Sequence, residues 1–195
     1  MSGTHSDALI SRQVRRLETL LETRGIVAGA ALDEALDAFL SGASPANGTR
    51  IVARAWTDDA YRARLLDDAN SAVAELGYAS GGVQPQRLRV VENTDGVHNV
   101  IVCTLCSCYP LGLLGPSPSW YKSEAYRSRV VREPRAVLAE FGLDLPDGTE
   151  ITVWDSTSES RYMVLPRRPA GTDGLDEAAL AALVTRNALI GTAAV

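Results

Sequence analysis

Apolar residues in the N-terminal part of the chain recur every three or four positions, which is the spacing of amphipathic helices. The first set is Leu9, Ile10, Val14, Leu17, Leu20 and Leu21, and the second is Leu32, Leu36, Phe39 and Leu40. Two helices are therefore predicted, and their apolar stripes suit either an ordinary core or a partner. The following stretch, 41–48, is rich in Ser, Gly, Pro and Asn, so we expect a loop there.

Helix signals also occur after residue 48. Thr57 or Asp58 suits the N-cap of a helix that ends at Gly77. Pro134 suits the first turn of a helix that ends before Gly142. A last amphipathic helix is predicted at 176–186.

Short runs of β-type residues alternate with these helices. They predict four strands, at 88–91, 97–102, 151–154 and 161–165. The second strand ends directly in a cysteine-rich segment. The sequence therefore predicts an α+β domain at 49–195, preceded by a helical segment at 1–48.

All three cysteines of the chain lie within six residues, at Cys103, Cys106 and Cys108. If the amide nitrogens of Ser107 and Cys108 lose their protons, they can bind one metal ion in a plane with the Cys106 and Cys108 sulfurs. This arrangement closes fused five- and six-membered chelate rings. The Cys103 sulfur can then bind from one side, which leaves the other side open. Such a strong-field set suits trivalent cobalt or iron better than zinc, which prefers a tetrahedron.

Other uses of these cysteines fit less well. An odd number of cysteines, spaced by three and two residues, would leave a strained pair and a spare thiol. Structural zinc usually needs a fourth Cys or His, and an iron–sulfur cluster normally has four cysteines. The only histidines are His5 and His98, which are also poorly placed for a serine triad. Zinc is the main alternative from the residues alone.

Length and charge restrict the class of protein. A chain of 195 residues can bury one good core, and a net charge of -5 argues against nucleic acid as a partner. No apolar run approaches the ~20 residues that span a membrane, and the N-terminus has no signal-peptide core. Thiolates without a disulfide framework indicate a reducing compartment, so the cytoplasm is expected.

The segment Val102–Pro110, with its Cys-Thr-Leu-Cys-Ser-Cys motif, resembles the metal-binding segment of the nitrile hydratase α subunit. The resemblance covers about residues 50–192. Other matching segments lie at 91–94, 97–99, 120–123, 126–135, 153–156, 161–166 and 168–172. The related metal-binding subunit of thiocyanate hydrolase shares the cysteine motif and is the alternative at the same site. A non-catalytic metal-binding module, such as a zinc one, is an alternative from a different class.

The resemblance implies a multilayer α–β–β–α sandwich behind an N-terminal helical arm that lies across a partner. It also implies a β-type partner, one chain or two, whose arginines bind oxidised sulfurs and close the pocket. The implied reaction is hydration of a nitrile to an amide at a low-spin Co(III) centre. Cobalt is favoured over Fe(III) because Thr104 matches the cobalt-type motif, where the iron type usually carries serine.

The same resemblance assigns roles to individual residues. The implied metal ligands are Cys103, Cys106, Ser107 and Cys108. Cys103 matches the unmodified axial thiolate, Cys106 the sulfinic position and Cys108 the sulfenic position. Cys108, Ser107 and Gln84 are the implied catalytic residues; without the family, Gln84 would be taken as a surface loop residue.

Two further positions and one departure follow from the resemblance. Arg161 and Asp155 align with residues at the interface or beside the ligands, although a solvated salt bridge is the ordinary interpretation. The family commonly continues Cys-Tyr-Pro-Trp-Pro after the last cysteine, whereas this chain has Leu111 and Gly112 in place of Trp-Pro. The change is either harmless drift or a wider pocket for a bulky heteroaromatic or nucleoside-like nitrile.

Overall fold

The computed structural model describes residues 3–78, 86–106 and 108–195. The chain forms two compact units, one ending at Gly42 and the other beginning at Ala43. The predicted loop at 41–48 is wrong in its second half, because a helix begins at Pro45. The reason is local: the Ser44 hydroxyl accepts a hydrogen bond from the Ala46 amide (3.2 Å), and proline occupies the first helical turn.

The first unit consists of two helices, as predicted. They are α1 (Gly3–Thr23) and α2 (Gly29–Gly42). Gly25, with φ of 64°, follows α1, and the Ile26 amide donates to the Leu21 carbonyl. Many apolar residues of both helices are exposed, including Leu9, Ile10, Val14, Leu17, Leu20, Leu32, Leu36 and Leu40. Within the described chain, these side chains therefore do not form an ordinary core.

Three helices open the second unit. They are α3 (Pro45–Thr57), α4 (Asp59–Asp67) and α5 (Ala69–Glu75). Asp58 caps α4 by accepting from the Tyr61 amide (2.9 Å), and Gly77 has a φ of 78°, so both predicted ends are confirmed. The single helix predicted between them is wrong. Asp68 interrupts it and caps α5 by accepting from the amide and hydroxyl of Ser71.

All four predicted strands are present. They are β1 (Arg87–Glu92), β2 (Val97–Val102), β3 (Glu150–Asp155) and β4 (Ser160–Leu165). β1 pairs in parallel with β4, and β2 pairs in parallel with β3. Helices α4 and α5 contact β1, β4 contacts β2, and the helix Pro134–Glu140 contacts β3. The α+β class is confirmed, and these contacts have the order helix, sheet, sheet, helix.

The connection from β2 to β3 carries short helical elements. They are α6 (Leu111–Leu114), a 3₁₀ helix (Ser119–Lys122), α7 (Glu124–Arg129) and α8 (Pro134–Glu140). The last two helices are α9 (Glu177–Leu183) and α10 (Arg186–Ile190). The single helix predicted at 176–186 is wrong, because Thr185 caps α10 by accepting from the Ala188 amide (3.2 Å). None of the described helices is both long and apolar enough to cross a membrane.

His98 belongs to a buried hydrogen-bond network that holds β2 in place. Its Nε2 lies 2.7 Å from the Gly191 carbonyl and its Nδ1 lies 3.2 Å from the Asn93 amide group. Asn99 continues the network to Asn93 and to the Trp154 indole. Burial lowers the pKa of His98, which favours the neutral ring. His98 thus has structural partners and is not available as a catalytic base.

Candidate metal centre

The three cysteine sulfurs converge on one point at the end of β2. Cys103 directly follows Val102, the last residue of that strand. The Cys106 sulfur lies 3.2 Å from that of Cys103 and 3.0 Å from that of Cys108. Both distances are far longer than the ~2.05 Å of a disulfide bond. All three sulfurs lie within 4.8 Å of one another, so they can bind a single metal ion.

Burial differs among the three thiols. Cys103 is buried, Cys108 is half-buried and Cys106 is exposed. Burial, together with the hydrogen bond to Cys106, raises the pKa of the Cys108 thiol to about 12, although the charge of Arg161 acts in the opposite direction. A metal ion must therefore displace the proton from Cys108 when it binds. The exposed Cys106 side of the cluster is the accessible one.

Asp155 anchors the first half of the cysteine loop. It is the last residue of β3 and pairs with Val102 at the end of β2. Its carboxylate accepts the Thr104 amide (2.9 Å) and the Thr104 hydroxyl (2.5 Å). This position agrees with the role predicted for Asp155 beside the ligands. Its carboxylate binds Thr104, which lies between Cys103 and Cys106, rather than pairing with a solvent-exposed cation.

Side chains from the β2–β3 connection hold the second half of the loop. The Tyr121 hydroxyl donates to the Cys108 carbonyl (3.1 Å), and an Arg127 guanidinium nitrogen donates to the Cys106 carbonyl (3.2 Å). The sequence had placed both residues in segments that match the family, but it gave neither a role. Tyr121 lies thirteen residues after Cys108, and this spacing does not indicate that its hydroxyl binds the Cys108 carbonyl.

The other predicted site residues have different outcomes. Ser107 and Gln84 lie outside the described residues. Arg161 is buried at the start of β4, donates to the carbonyls of Thr157 and Ser160, and acts electrostatically on Cys108. Among the described residues, Arg161 is thus held by backbone carbonyls, and its charge acts on the Cys108 thiol and on the Glu159 carboxylate. Leu111 begins α6, is half-buried and packs against the core.

The donors fit a transition metal. Three soft sulfur ligands from one short loop favour cobalt, iron or zinc over magnesium or calcium, which prefer oxygen. The backbone on both sides of the loop is fixed, by β2 at one end and by Tyr121 at the other. A held loop of this kind can present sulfurs and main-chain nitrogens to one ion.

Comparison with known proteins identifies the family of this centre. The family model described as nitrile hydratase, alpha chain, matches residues 8–193. The chain belongs to the nitrile hydratase α-chain family. The cobalt-containing nitrile hydratase subunit alpha of Pseudonocardia thermophila is 50% identical over 183 residues, which cover 93% of this chain and 89% of the relative.

Two further relatives bear on the choice between reactions and metals. The thiocyanate hydrolase subunit gamma of Thiobacillus thioparus is 46% identical over 76% of this chain and 65% of its own length. A double mutant of the Fe-type nitrile hydratase from Comamonas testosteroni Ni1 has 42% identity and a TM-score of 0.88, covering 96% of this chain and 90% of that chain. Relatives of both metal types are thus similar to this chain, and the cobalt-containing subunit of Pseudonocardia thermophila has a higher identity than the Fe-type structure.

Proposed function

We propose that this chain is the metal-bearing α subunit of a cobalt-type nitrile hydratase, which hydrates a nitrile to the corresponding amide. The observation that carries this proposal is the convergence of three sulfurs at 3.0 and 3.2 Å in a chain of this family. The family match favours nitrile hydration over the other chemistry that three thiolates allow. The cobalt-containing relatives favour cobalt, because they are more similar than the Fe-type structure.

In this proposal the ligands are the sulfurs of Cys103, Cys106 and Cys108 with the main-chain nitrogens of Ser107 and Cys108. Bound Co(III) would supply Lewis acidity for the attack of water on a poorly electrophilic nitrile carbon. The chain itself fixes the ligands, with Asp155 holding the first part of the loop and Tyr121 the last. Oxidised Cys108, Ser107 and Gln84 are the proposed catalytic groups, which accept or orient the protons of the attacking water. Arg161 places a positive charge near Cys108.

The proposed oxidation states can be measured directly. Mature protein should carry two added oxygens on Cys106, one on Cys108 and none on Cys103. The exposed and half-buried positions of Cys106 and Cys108, against the buried Cys103, agree with this difference in access. Peptide mass spectrometry under non-reducing conditions is the measurement, with the metal-free chain as control. Three plain thiols in an active complex would contradict the assignment.

The proposed assembly includes a β-type partner of one chain or two. Helices α1 and α2 are proposed to form an arm across that partner, since many of their apolar residues are exposed. A second apolar group lies at the metal centre itself: Leu105, between Thr104 and Cys106, is 90% exposed. Such high exposure of a large apolar side chain between proposed metal ligands suggests that a partner covers the loop.

Replacing Leu105 with aspartate is expected to weaken the assembly. Burial of a leucine contributes about 1.5–3 kcal/mol, so affinity for the partner should fall roughly 10–100-fold. The melting temperature of the isolated chain should not change, because Leu105 makes little contact within it. Leu175→Asp, at another exposed leucine, is the matched control. Equal affinity of the wild-type and L105D chains in a titration would show that no partner covers this residue.

One experiment separates the candidate functions. The chain would be co-expressed with a β-type partner, its metal measured, and amide formation assayed on small aliphatic and bulky heteroaromatic nitriles. Stoichiometric cobalt with amide formation supports the proposal. Turnover of thiocyanate without amide formation would favour thiocyanate hydrolase, which is kept as the second candidate because of the 46% identical relative. Zinc without visible charge-transfer absorption would indicate a non-catalytic module.

We propose a cytoplasmic location, because the thiols are proposed to serve as metal ligands rather than to form disulfide bonds.

A further inference from the structure

A layer of aromatic side chains supports the cysteine loop. Its members are Tyr109, Trp120, Tyr121, Tyr126 and Phe141, and their rings meet edge to face at centroid distances such as 5.0 Å for Tyr109 and Tyr121 and 4.9 Å for Trp120 and Tyr126. Two members carry buried hydroxyls that donate to the backbone. Tyr121 donates to the Cys108 carbonyl (3.1 Å), and Tyr126 donates to the Ile101 carbonyl (2.7 Å).

We propose that Tyr121 is a positioning residue for the metal centre, which acts by holding the Cys108 main chain against the aromatic layer. This inference rests on the proposed role of Cys108 as a metal ligand. The Cys108 carbonyl belongs to the residue that supplies both a sulfur and a nitrogen to the proposed chelate. A hydrogen bond to that carbonyl fixes the direction in which the Cys108 backbone leaves the loop.

A second contact of Tyr121 acts on the same segment. The ring of Tyr109, the residue after Cys108, packs edge to face on the Tyr121 ring and is itself buried. Tyr121 therefore holds two consecutive residues at the end of the loop, one through its hydroxyl and one through its ring. The start of the loop is held differently, by β2 and by the Asp155 carboxylate. Within the described part of the chain, the Tyr121 hydroxyl makes the only hydrogen bond to the Cys108 carbonyl.

Such support matters because a chelate tolerates little movement of its donors. Groups that hydrogen-bond to ligands orient them, and their loss typically costs 10–100-fold in metal affinity or activity. The Tyr121→Phe substitution removes only the hydroxyl, since the remaining ring can still pack on Tyr109. Its expected effect thus falls on the two groups that the hydroxyl meets, the Cys108 carbonyl and the buried Ser156 side chain.

Tyr126→Phe provides a matched control in the same layer. It also removes a buried hydroxyl that donates to a carbonyl, but that carbonyl belongs to Ile101 within β2. Ile101 is paired with Trp154 of β3, so its position is already fixed by the sheet. A general loss of packing or stability should affect both variants, whereas a loss of ligand positioning should affect Tyr121→Phe alone.

The experiment compares wild-type, Y121F and Y126F chains, each co-expressed with the β-type partner in cobalt-supplemented cells. The readouts are the cobalt retained after dialysis against a chelator, the visible charge-transfer spectrum, kcat and KM. We expect Y121F to lose cobalt about 10–100-fold faster, with a shifted or weakened visible band and a lower kcat at similar KM. Y126F should keep the wild-type cobalt retention and spectrum even if its melting temperature falls.

The proposal would be overturned by wild-type cobalt retention and spectrum in Y121F, or by equal changes in Y121F and Y126F. Its failure can be distinguished from failure of the proposed function. A wild-type complex that holds cobalt but forms no amide would refute the proposed reaction, yet cobalt retention in Y121F would still decide the role of Tyr121. A wild-type complex that binds no metal would refute both.

Discussion

Replacing any one of Cys103, Cys106 and Cys108 with alanine is expected to remove both the bound metal and the amide-forming activity. Each substitution deletes a donor from a cluster whose sulfurs lie within 4.8 Å of one another. The two remaining sulfurs cannot complete the proposed ligand set. Because the donors act as one unit, the three variants should be about equally inactive rather than graded. Metal analysis and an amide assay on the purified, co-expressed complexes are the measurements.

The difference in burial among the thiols provides the control for this prediction. Cys103 is buried, so C103A can also destabilise the core, by roughly 1–2 kcal/mol for a typical buried substitution. Cys106 is exposed, so C106A should keep the melting temperature of the metal-free wild-type chain while losing the metal. Stoichiometric cobalt with full turnover in any of the three variants would refute the assigned ligands.

The local parts of the fold could be predicted from the sequence. All four strands and the N-cap at Asp58 depend on neighbouring residues, and the structure confirms them. Two of the errors lie where a capping residue falls inside an apolar pattern. Asp68 ends α4 and begins α5, and Thr185 begins α10 two residues after the end of α9, although the apolar spacing continues across both positions. A periodic pattern alone does not reveal such a break, because the cap competes with the helix through one short-range hydrogen bond.

The candidate site was predictable to a different extent. The cysteine motif predicted a cluster of three sulfurs because all three cysteines lie within six residues, and the structure brings these sulfurs together. The residues that hold the loop come from far along the chain: Asp155 is 51 positions from Thr104. Tyr121 and Tyr126 reach their carbonyls from short helical elements of the β2–β3 connection. The sequence alone cannot show which backbone atom a tyrosine reaches, since that depends on how the connection folds back on the strands.

Position 111 is expected to set the size of the substrate pocket. The family commonly has tryptophan there, whereas this chain has Leu111 at the start of α6, immediately after the cysteine loop. Leu111 is half-buried and packs against the core, so part of its side chain remains outside the packed interior. A tryptophan at this position could bury ~150–250 Å². The added ring would then take up space that a bulky nitrile is proposed to use.

Leu111→Trp is therefore expected to change substrate preference without changing metal content. Bulky heteroaromatic nitriles should lose roughly tenfold or more in kcat/KM, because steric overlap costs about 1–3 kcal/mol. Small aliphatic nitriles should keep or gain kcat/KM. The measurement is kcat/KM for both substrate classes on the assembled complex, since a partner is proposed to form the opposite wall. Leu111→Ala, which removes bulk, is the matched control and should not exclude bulky substrates. An equal change for small and bulky nitriles in L111W would mean that this position does not set pocket size and that the substitution is drift.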